Sequence, residues 1–226
     1  MKGCVLIPCY QESGRIGATV TAVSAFCPHV IVVDDGSGDG TAEEAASAGA
    51  NVIQHETNRG KGEALNTGFT YAREHDYEFV ITMDGDGQHA PDDIPRLLKA
   101  YKESKADVLI GTRMQDTESM PFLRQLTNRF MSWLLSGMMG QRVPDTQSGY
   151  RLYRTDVLTN IPSRSQRFAA ESEILLDLAA DGVTIGSVPI TVIYGDEKSK
   201  INPFRDTFRF ISMLTRWKIS RGKRPR

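Results

Sequence analysis

Val80-Ile81-Thr82-Met83-Asp84-Gly85-Asp86-Gly87-Gln88-His89-Ala90-Pro91 is the stretch on which the reading turns. Phe79, Val80 and Ile81 are apolar and mostly β-favouring, Met83 carries the run to Asp84, and turn residues end it. The pattern predicts a strand over residues 79–83. Side chains along a strand alternate, so Asp84 and Asp86 are expected on the same side. Two anionic groups held together repel unless a cation lies between them, and ligands that are all oxygen suit Mg²⁺ or Mn²⁺. Gln88 adds a carbonyl oxygen, and His89 a nitrogen if the ion is Mn²⁺. Gly85 and Gly87 let the backbone approach a bulky ligand. Alone, the pattern reads more simply as a solvated Asp-Gly turn; the surrounding chain decides between the two.

Upstream, short apolar runs at residues 3–7, 29–33 and 51–54 alternate with helical spacing at 15–26, 42–48 and 63–75. Downstream, a helix is expected at 92–104 and a strand at 107–111. Strands alternating with helices imply an open, doubly wound α/β fold with a mostly parallel sheet covered on both faces. Ligands of such sheets bind outside the carboxyl ends of the strands. The polar clusters fall there: Tyr10 and Glu12, Asp34 and Asp35, Asp84 and Asp86, then Thr112-Arg113. Thr41, with Glu44 three residues on, reads as a capping box.

After Asp116 the pattern changes. Residues 121–140 form a helical stretch rich in large apolar groups and carrying Arg124 and Arg129. Asp145-Thr146-Gln147-Ser148-Gly149 follows, then a short segment at 150–153, a helix over about 170–180 with Glu171 and Glu173, a strand over 183–193 and a last helix over 204–219. The expected organisation is one domain, with a nucleotide-sugar-binding half over 1–115 and a helical acceptor-side half over 116–226.

The 226 residues carry a net charge of −1 and 24% charged residues, which neither demands nor excludes an anionic partner. Cys4, Cys9 and Cys27 make an odd count with no Cys-x-x-Cys, so neither a disulfide framework nor a zinc site is expected, and a reduced, cytoplasmic setting fits. The apolar stretch at 4–7 is too short for a signal peptide, and no run approaches the ~20 apolar residues of a membrane span. The last helix mixes Phe204, Phe208, Ile211, Leu214 and Trp217 with Arg205, Arg209, Arg216 and Lys218, ahead of a basic tail. That combination suits an anionic membrane surface on the cytoplasmic side, preferred over a helix packed on the domain with a solvated tail. No motif supports nucleic-acid binding.

Two glycine-rich segments need separating from look-alikes. Residues 34–41, Asp-Asp-Gly-Ser-Gly-Asp-Gly-Thr, imitate a dinucleotide loop, but three carboxylates would repel a pyrophosphate. With Glu12 beside them, they are better acceptors for the N–H and O–H groups of a base or ribose. Asn58-Arg59-Gly60-Lys61-Gly62 is not a P-loop; Lys61 at a helix start offers charge to phosphate or base, or is simply solvated.

In order, Pro8 to Glu12, Val33 to Ser37, Asn58 to Gly62, Asp84 to Pro91, Asp145 to Arg151 and Tyr194 to Asp206 resemble family 2 glycosyltransferases of GT-A fold. The resemblance is to the branch of dolichyl-phosphate mannose synthase and polyprenyl-phosphate glycosyltransferases. It implies a GDP- or UDP-sugar donor, a divalent ion at the Asp-x-Asp, and inversion at the anomeric carbon. By position, Pro8, Tyr10, Glu12 and Asp35 match the nucleoside pocket, and Asp84, Asp86 and Gln88 the metal and diphosphate site. Arg113 matches a phosphate-binding arginine; with Asp86 and Asp145 it makes up the expected catalytic set. Lys200 and Arg205 resemble donor-phosphate ligands in a lid segment. Relatives often have an arginine where this chain has Thr191-Val192, which leaves that grip weaker or supplied by Lys198 or Lys200.

A lipid-phosphate acceptor is already an anionic nucleophile and needs no general base. Arg124 and Arg129 are then candidate acceptor-phosphate groups. A hydroxyl acceptor would need a base, with Asp145 first and Glu171 and Glu173 after it. A third reading, a nucleotide-sugar-binding module without catalysis, is opposed by the intact Asp-x-Asp. The sequence leaves the oligomeric state open.

Overall fold

The computed structural model describes residues 1–113, 122–159, 168–191 and 203–221, with side chains omitted at 122–124, 168–169, 203–209 and 220–221. The strands are β1 (Gly3–Cys9), β2 (Val30–Asp34), β3 (Asn51–Gln54), β4 (Phe79–Thr82), β5 (Val108–Thr112), β6 (Arg151–Arg154) and β7 (Ile185–Pro189). The helices are α1 (Ile16–Ser24), α2 (Thr41–Ser47), α3 (Lys61–Glu74), α4 (Ile94–Glu103), α5 (Phe122–Met139), α6 (Phe168–Ala180) and α7 (Pro203–Arg221).

One seven-stranded sheet runs in the order β3-β2-β1-β4-β6-β5-β7. It is parallel except for β6, which pairs antiparallel with both β4 and β5. Strand alternation alone would set β5 beside β4; instead the segment after α5 returns and inserts between them. The period of two then sorts the core. Cys4 and Leu6 of β1 face Leu65 and Phe69 of α3 and Leu175 of α6, while Val5 and Ile7 face Ile16 and Val20 of α1 and Ile94 of α4.

Several local expectations change. β1 runs through Pro8 to Cys9, whereas β4 stops at Thr82, so Asp84 and Asp86 lie in a turn and not on strand faces. The capping box does not form. Gly40 precedes α2, Thr41 is its first residue, and the Thr41 hydroxyl donates to Asp39 Oδ1 at 2.5 Å. Glu44 instead accepts the N–H groups of Gly14 (2.5 Å) and Gly17 (2.8 Å), capping the start of α1 from a neighbouring helix.

α5, α6 and α7 share a further core of Met131, Leu135, Leu176, Phe210, Met213 and Leu214. Leu214 is therefore buried, and the Trp217 indole N–H donates to Asp177 at 3.0 Å, so this stretch of α7 packs on the protein and does not present its whole apolar face outward. Leu126, Phe130 and Trp133 of α5 are exposed and spaced to share one helix face, and Ile211 and Ile219 of α7 are exposed as well. No described helix is long and apolar enough to cross a membrane.

Candidate active site at the carboxyl ends of β1 and β4

In a parallel strand, the backbone groups of successive residues alternate between the two neighbours. Val5 N–H donates to His29 O (2.9 Å) on the β2 side, and Leu6 O accepts Met83 N–H (3.0 Å) on the β4 side. Pro8 therefore turns its donor-less nitrogen toward β4, beyond the last paired residues Leu6 and Thr82. The β1–β4 ladder ends here, at the carboxyl end of the strands, beside which an open α/β sheet binds ligands in a crevice.

On the β2 side, the loops are tied to each other. Gln11 N–H donates to Ser37 Oγ (2.8 Å), Glu12 N–H to Thr41 Oγ1 (3.0 Å), and the Arg15 guanidinium lies 3.2 Å from Glu12. Tyr10 is exposed beside them. The acidic pair Asp34-Asp35 differs from the expectation of open acceptors. Asp34 is fully buried and accepts from Ser37 and from Gln54 Nε2 (3.0 Å). Asp35, 3% exposed, accepts from His55 Nδ1 (2.7 Å), Arg59 N–H (2.9 Å) and Gly60 N–H (2.6 Å). Its carboxylate fastens the loop leading to α3 and is not held open for a base. A buried carboxylate needs such donors, and the backbone after β3 supplies them. His55, which sequence reasoning missed, bridges Asp35 to Thr67 (3.0 Å).

The β4 side is built differently. Asp84 and Asp86 are both half-buried. Asp86 Oδ1 accepts Gln88 N–H at 3.0 Å, and Asp84 N–H donates to His89 Nδ1 at 3.1 Å. His89 is buried and stacks on Tyr150 with centroids 5.0 Å apart. Burial pushes its pKa down, and the carboxylates of Asp84 and Asp86 only partly offset that, so the ring is neutral with Nδ1 as acceptor. That nitrogen is thus held by the backbone and is not offered to a metal. Gly85 also departs from expectation. It is buried, and a Cβ there would lie 3.3–3.5 Å from Cys9, Ile16 and Ile7, so its missing side chain accommodates the core and not a ligand.

Lys61, the first residue of α3, reaches across the crevice. Its ammonium pairs with Asp84 Oδ1 and lies 3.0 Å from Glu171 Oε1. Burial lowers the lysine pKa, but the two carboxylates more than offset it and hold it above the ordinary amine range. For Asp84, burial acts upward, while Lys61, then His89 and Arg113, hold the carboxyl well below its ordinary range. Glu171 is buried beside Lys61, not a solvated helix-face acid, and Glu173 is buried as well. Gly149 closes the cluster: a Cβ there would stand 3.0–3.1 Å from the Asp84 carboxylate oxygens and Glu171 Oε1, a tight fit that would press on both carboxylates.

Arg113, at the end of β5, forms a two-pronged pair with Asp145: Nε to Oδ2 at 2.7 Å and Nη2 to Oδ1 at 2.9 Å, with Arg113 N–H to Oδ2 at 3.2 Å. Asp145 is 0% exposed. Both its oxygens are engaged, which corrects its reading as a base open to an acceptor; it orients Arg113. The loop carrying Asp145 is held by Arg151, which sequence reasoning also missed. Fully buried on β6, Arg151 donates to Ser148 O (2.7 Å), Thr146 O (3.0 Å), Glu171 O (2.9 Å) and Tyr153 Oη (3.1 Å). It thereby fixes both the 145–149 loop and the start of α6. Arg129 is exposed on α5. The side chains of Arg124 and Arg205, and Lys198 and Lys200 entirely, lie outside the described residues.

The Asp84–Asp86 turn fits a divalent ion of Mg²⁺ or Mn²⁺ type. Oδ2 of each aspartate accepts no hydrogen bond among the described residues, and the cluster already carries an inserted cation, the Lys61 ammonium. Among the described residues no group of three or more His, Cys, Asp or Glu forms a closed metal cage. An open pair completed by substrate oxygens is the arrangement such ions use with phosphates.

The profile of Glycosyl transferase family 2 matches residues 4–161. The polyprenol monophosphomannose synthase of Mycolicibacterium smegmatis is 32% identical over 201 residues, covering 83% of this chain and 76% of its own. A UDP-N-acetylglucosamine–dolichyl-phosphate N-acetylglucosaminyltransferase of Methanococcus voltae is 30% identical over 213 residues, covering 84% and 85%. Among solved structures, glucosyl-3-phosphoglycerate synthase from Mycobacterium tuberculosis, in complex with Mn²⁺, UDP and glucosyl-3-phosphoglycerate, superposes with a TM-score of 0.72 at 20% identity, covering 96% of this chain and 79% of that one. The chain belongs to glycosyl transferase family 2 and is a glycosyltransferase of GT-A fold.

Proposed function

We propose that the protein transfers a sugar from a GDP- or UDP-sugar to a polyprenyl or dolichyl phosphate at a cytoplasmic membrane face, with Mg²⁺ or Mn²⁺ on Asp84 and Asp86. The observation that carries this reading is the half-open acidic turn facing Lys61 where the β1–β4 ladder ends. The relatives in Mycolicibacterium smegmatis and Methanococcus voltae, named for polyprenol and dolichyl-phosphate sugar transfer, support the acceptor class. The metal supplies positive charge to the departing diphosphate. In this reading the whole chain is one catalytic domain, with the nucleotide bound by its first half.

The remaining chemistry falls to the chain's own side chains. Pro8, Tyr10 and Glu12 border the nucleoside side of the crevice, and Gln88 the metal side. The acceptor phosphate oxygen forms a bond to the anomeric carbon as the bond to the diphosphate oxygen breaks, so the nucleoside diphosphate leaves with the electron pair and the configuration inverts. No proton has to be removed from a phosphate monoester anion, which agrees with an Asp145 that is buried and occupied. Arg113, held flat by Asp145, presents its charge beside Asp84, and Lys61 serves the diphosphate; Lys200 and Arg205 act from the segment after β7. Arg129 and Arg124 on α5 receive the lipid phosphate. Leu126, Phe130 and Trp133, exposed beside Arg129, with Arg216 and Lys218 exposed on α7, provide an apolar and basic face for an anionic lipid surface.

The test is a screen of radiolabelled GDP-mannose, UDP-glucose and UDP-N-acetylglucosamine with undecaprenyl and dolichyl phosphate. A Mg²⁺- or Mn²⁺-dependent lipid-linked product is expected; transfer only to hydroxyl acceptors would overturn the acceptor assignment.

A further inference from the structure

Lys61 stands where two functions compete for one carboxylate. Its ammonium lies between Asp84 and Glu171, and Gly149 seals the cluster on one side. The two partners differ: the Glu171 side chain is 5% exposed, the Asp84 side chain 29%. Glu171 is thus a fixed inner anchor, its main-chain oxygen gripped by Arg151, whereas Asp84 faces the crevice. The start of α3 is equally fixed. Gly60 sits at φ +94°, a conformation L side chains rarely adopt, and its N–H is held by Asp35. The part free to move is the lysine's tetramethylene stem.

We propose that Lys61 is a resident counter-ion whose exchange makes the divalent metal and the nucleoside diphosphate bind interdependently. This rests on the metal reading above. A divalent ion arriving alone at Asp84 meets an ammonium already paired there, and the two cations repel. A diphosphate offers that ammonium a second anionic partner, so Lys61 swings from Asp84 to the phosphates, pivoting on Glu171, and leaves Asp84 to the metal. Each ligand then raises the affinity of the other by the same factor, as linkage requires. The fold thereby keeps the acidic turn neutralised until both components of the donor complex are present.

Electron paramagnetic resonance titration of free Mn²⁺ with the full chain tests this, with no nucleotide and with saturating UDP or GDP. Lys61→Met is expected to bind Mn²⁺ alone at least about tenfold more tightly than wild type, a shift of about 1.4 kcal/mol. The same variant loses the part of the nucleotide enhancement that exceeds direct coordination of Mn²⁺ by the diphosphate, so its enhancement is smaller than wild type's, while Lys61→Arg keeps the wild-type pattern. Should Lys61→Met fail to fold, Lys61→Gln carries the same comparison. Equal or weaker Mn²⁺ binding by the neutral variant overturns the exchange and leaves the metal reading standing. Mn²⁺ uptake by neither form, with or without nucleotide, overturns both.

Discussion

Two acidic pairs follow two strands of this sheet, one on each side of β1, and they have opposite fates. Asp34-Asp35 ends β2 and Asp84-Gly85-Asp86 follows β4; each precedes glycine. The first pair is buried and satisfied by hydroxyl, amide, imidazole and backbone donors of the chain itself. The second is half-exposed, and its strongest partner is the ammonium on a flexible side chain. An acidic pair becomes a ligand site when its neutralising partner can leave; when the partners are backbone N–H groups, it becomes a fastening.

Breaking the second pair should have the largest effect. Asp84→Asn with Asp86→Asn is expected to lower sugar transfer by at least about 10³-fold, because charge on the departing diphosphate is no longer balanced. Thermal stability should change little beside that loss, so melting and transfer measured on one preparation separate the two effects. Asp145→Asn comes next. As the group that orients Arg113, its loss should cost about 10²-fold in transfer through misplacement, with the shape of the pH–rate profile unchanged. Disappearance of one limb of that profile would restore Asp145 as a base.

Breaking the first pair should act on the scaffold. Asp35→Asn replaces charged acceptors of three donors, and a loss of about 2 kcal/mol is expected, or roughly 4–8 °C in Tm. Nucleotide affinity would follow only as the loop ahead of Lys61 loosens. The smallest effect is expected at the far side of the acceptor half. Trp133→Asp should weaken binding to vesicles rich in anionic lipid by about tenfold, with stability within about 0.5 kcal/mol of wild type, as sedimentation with vesicles and a thermal melt would show.

The two pairs also show how far the chain can be read unaided. Alternating strands and helices and the position of the acidic turn after β4 follow from periodicity and from the rule that such sheets bind ligands at their carboxyl ends. What could not be read were the partners. Nothing local to Asp35 signals that Arg59, Gly60 and His55 will converge on it, because they arrive from beyond β3. Arg151 looked like one residue of a short segment; only the insertion of β6 between β4 and β5 buries it and turns its guanidinium to the carbonyls of the 145–149 loop. Asp145 reads from sequence as a base for a hydroxyl acceptor, because sequence shows a carboxylate without the arginine that occupies it. On α7, composition shows an amphipathic helix without saying that Leu214 and Trp217 turn toward α5 and α6 while Ile211 and Ile219 stay exposed, as do Leu126, Phe130 and Trp133 of α5.

The most direct test of the central claim is anomalous diffraction at the manganese edge from crystals grown with Mn²⁺ and UDP or GDP. The account predicts a peak about 2.0–2.2 Å from carboxylate oxygens of the Asp84–Asp86 turn and from diphosphate oxygens, with the Lys61 ammonium moved from Asp84 to the phosphates. An ordered nucleotide in the crevice with no peak at that turn, and Lys61 still paired with Asp84, would contradict it.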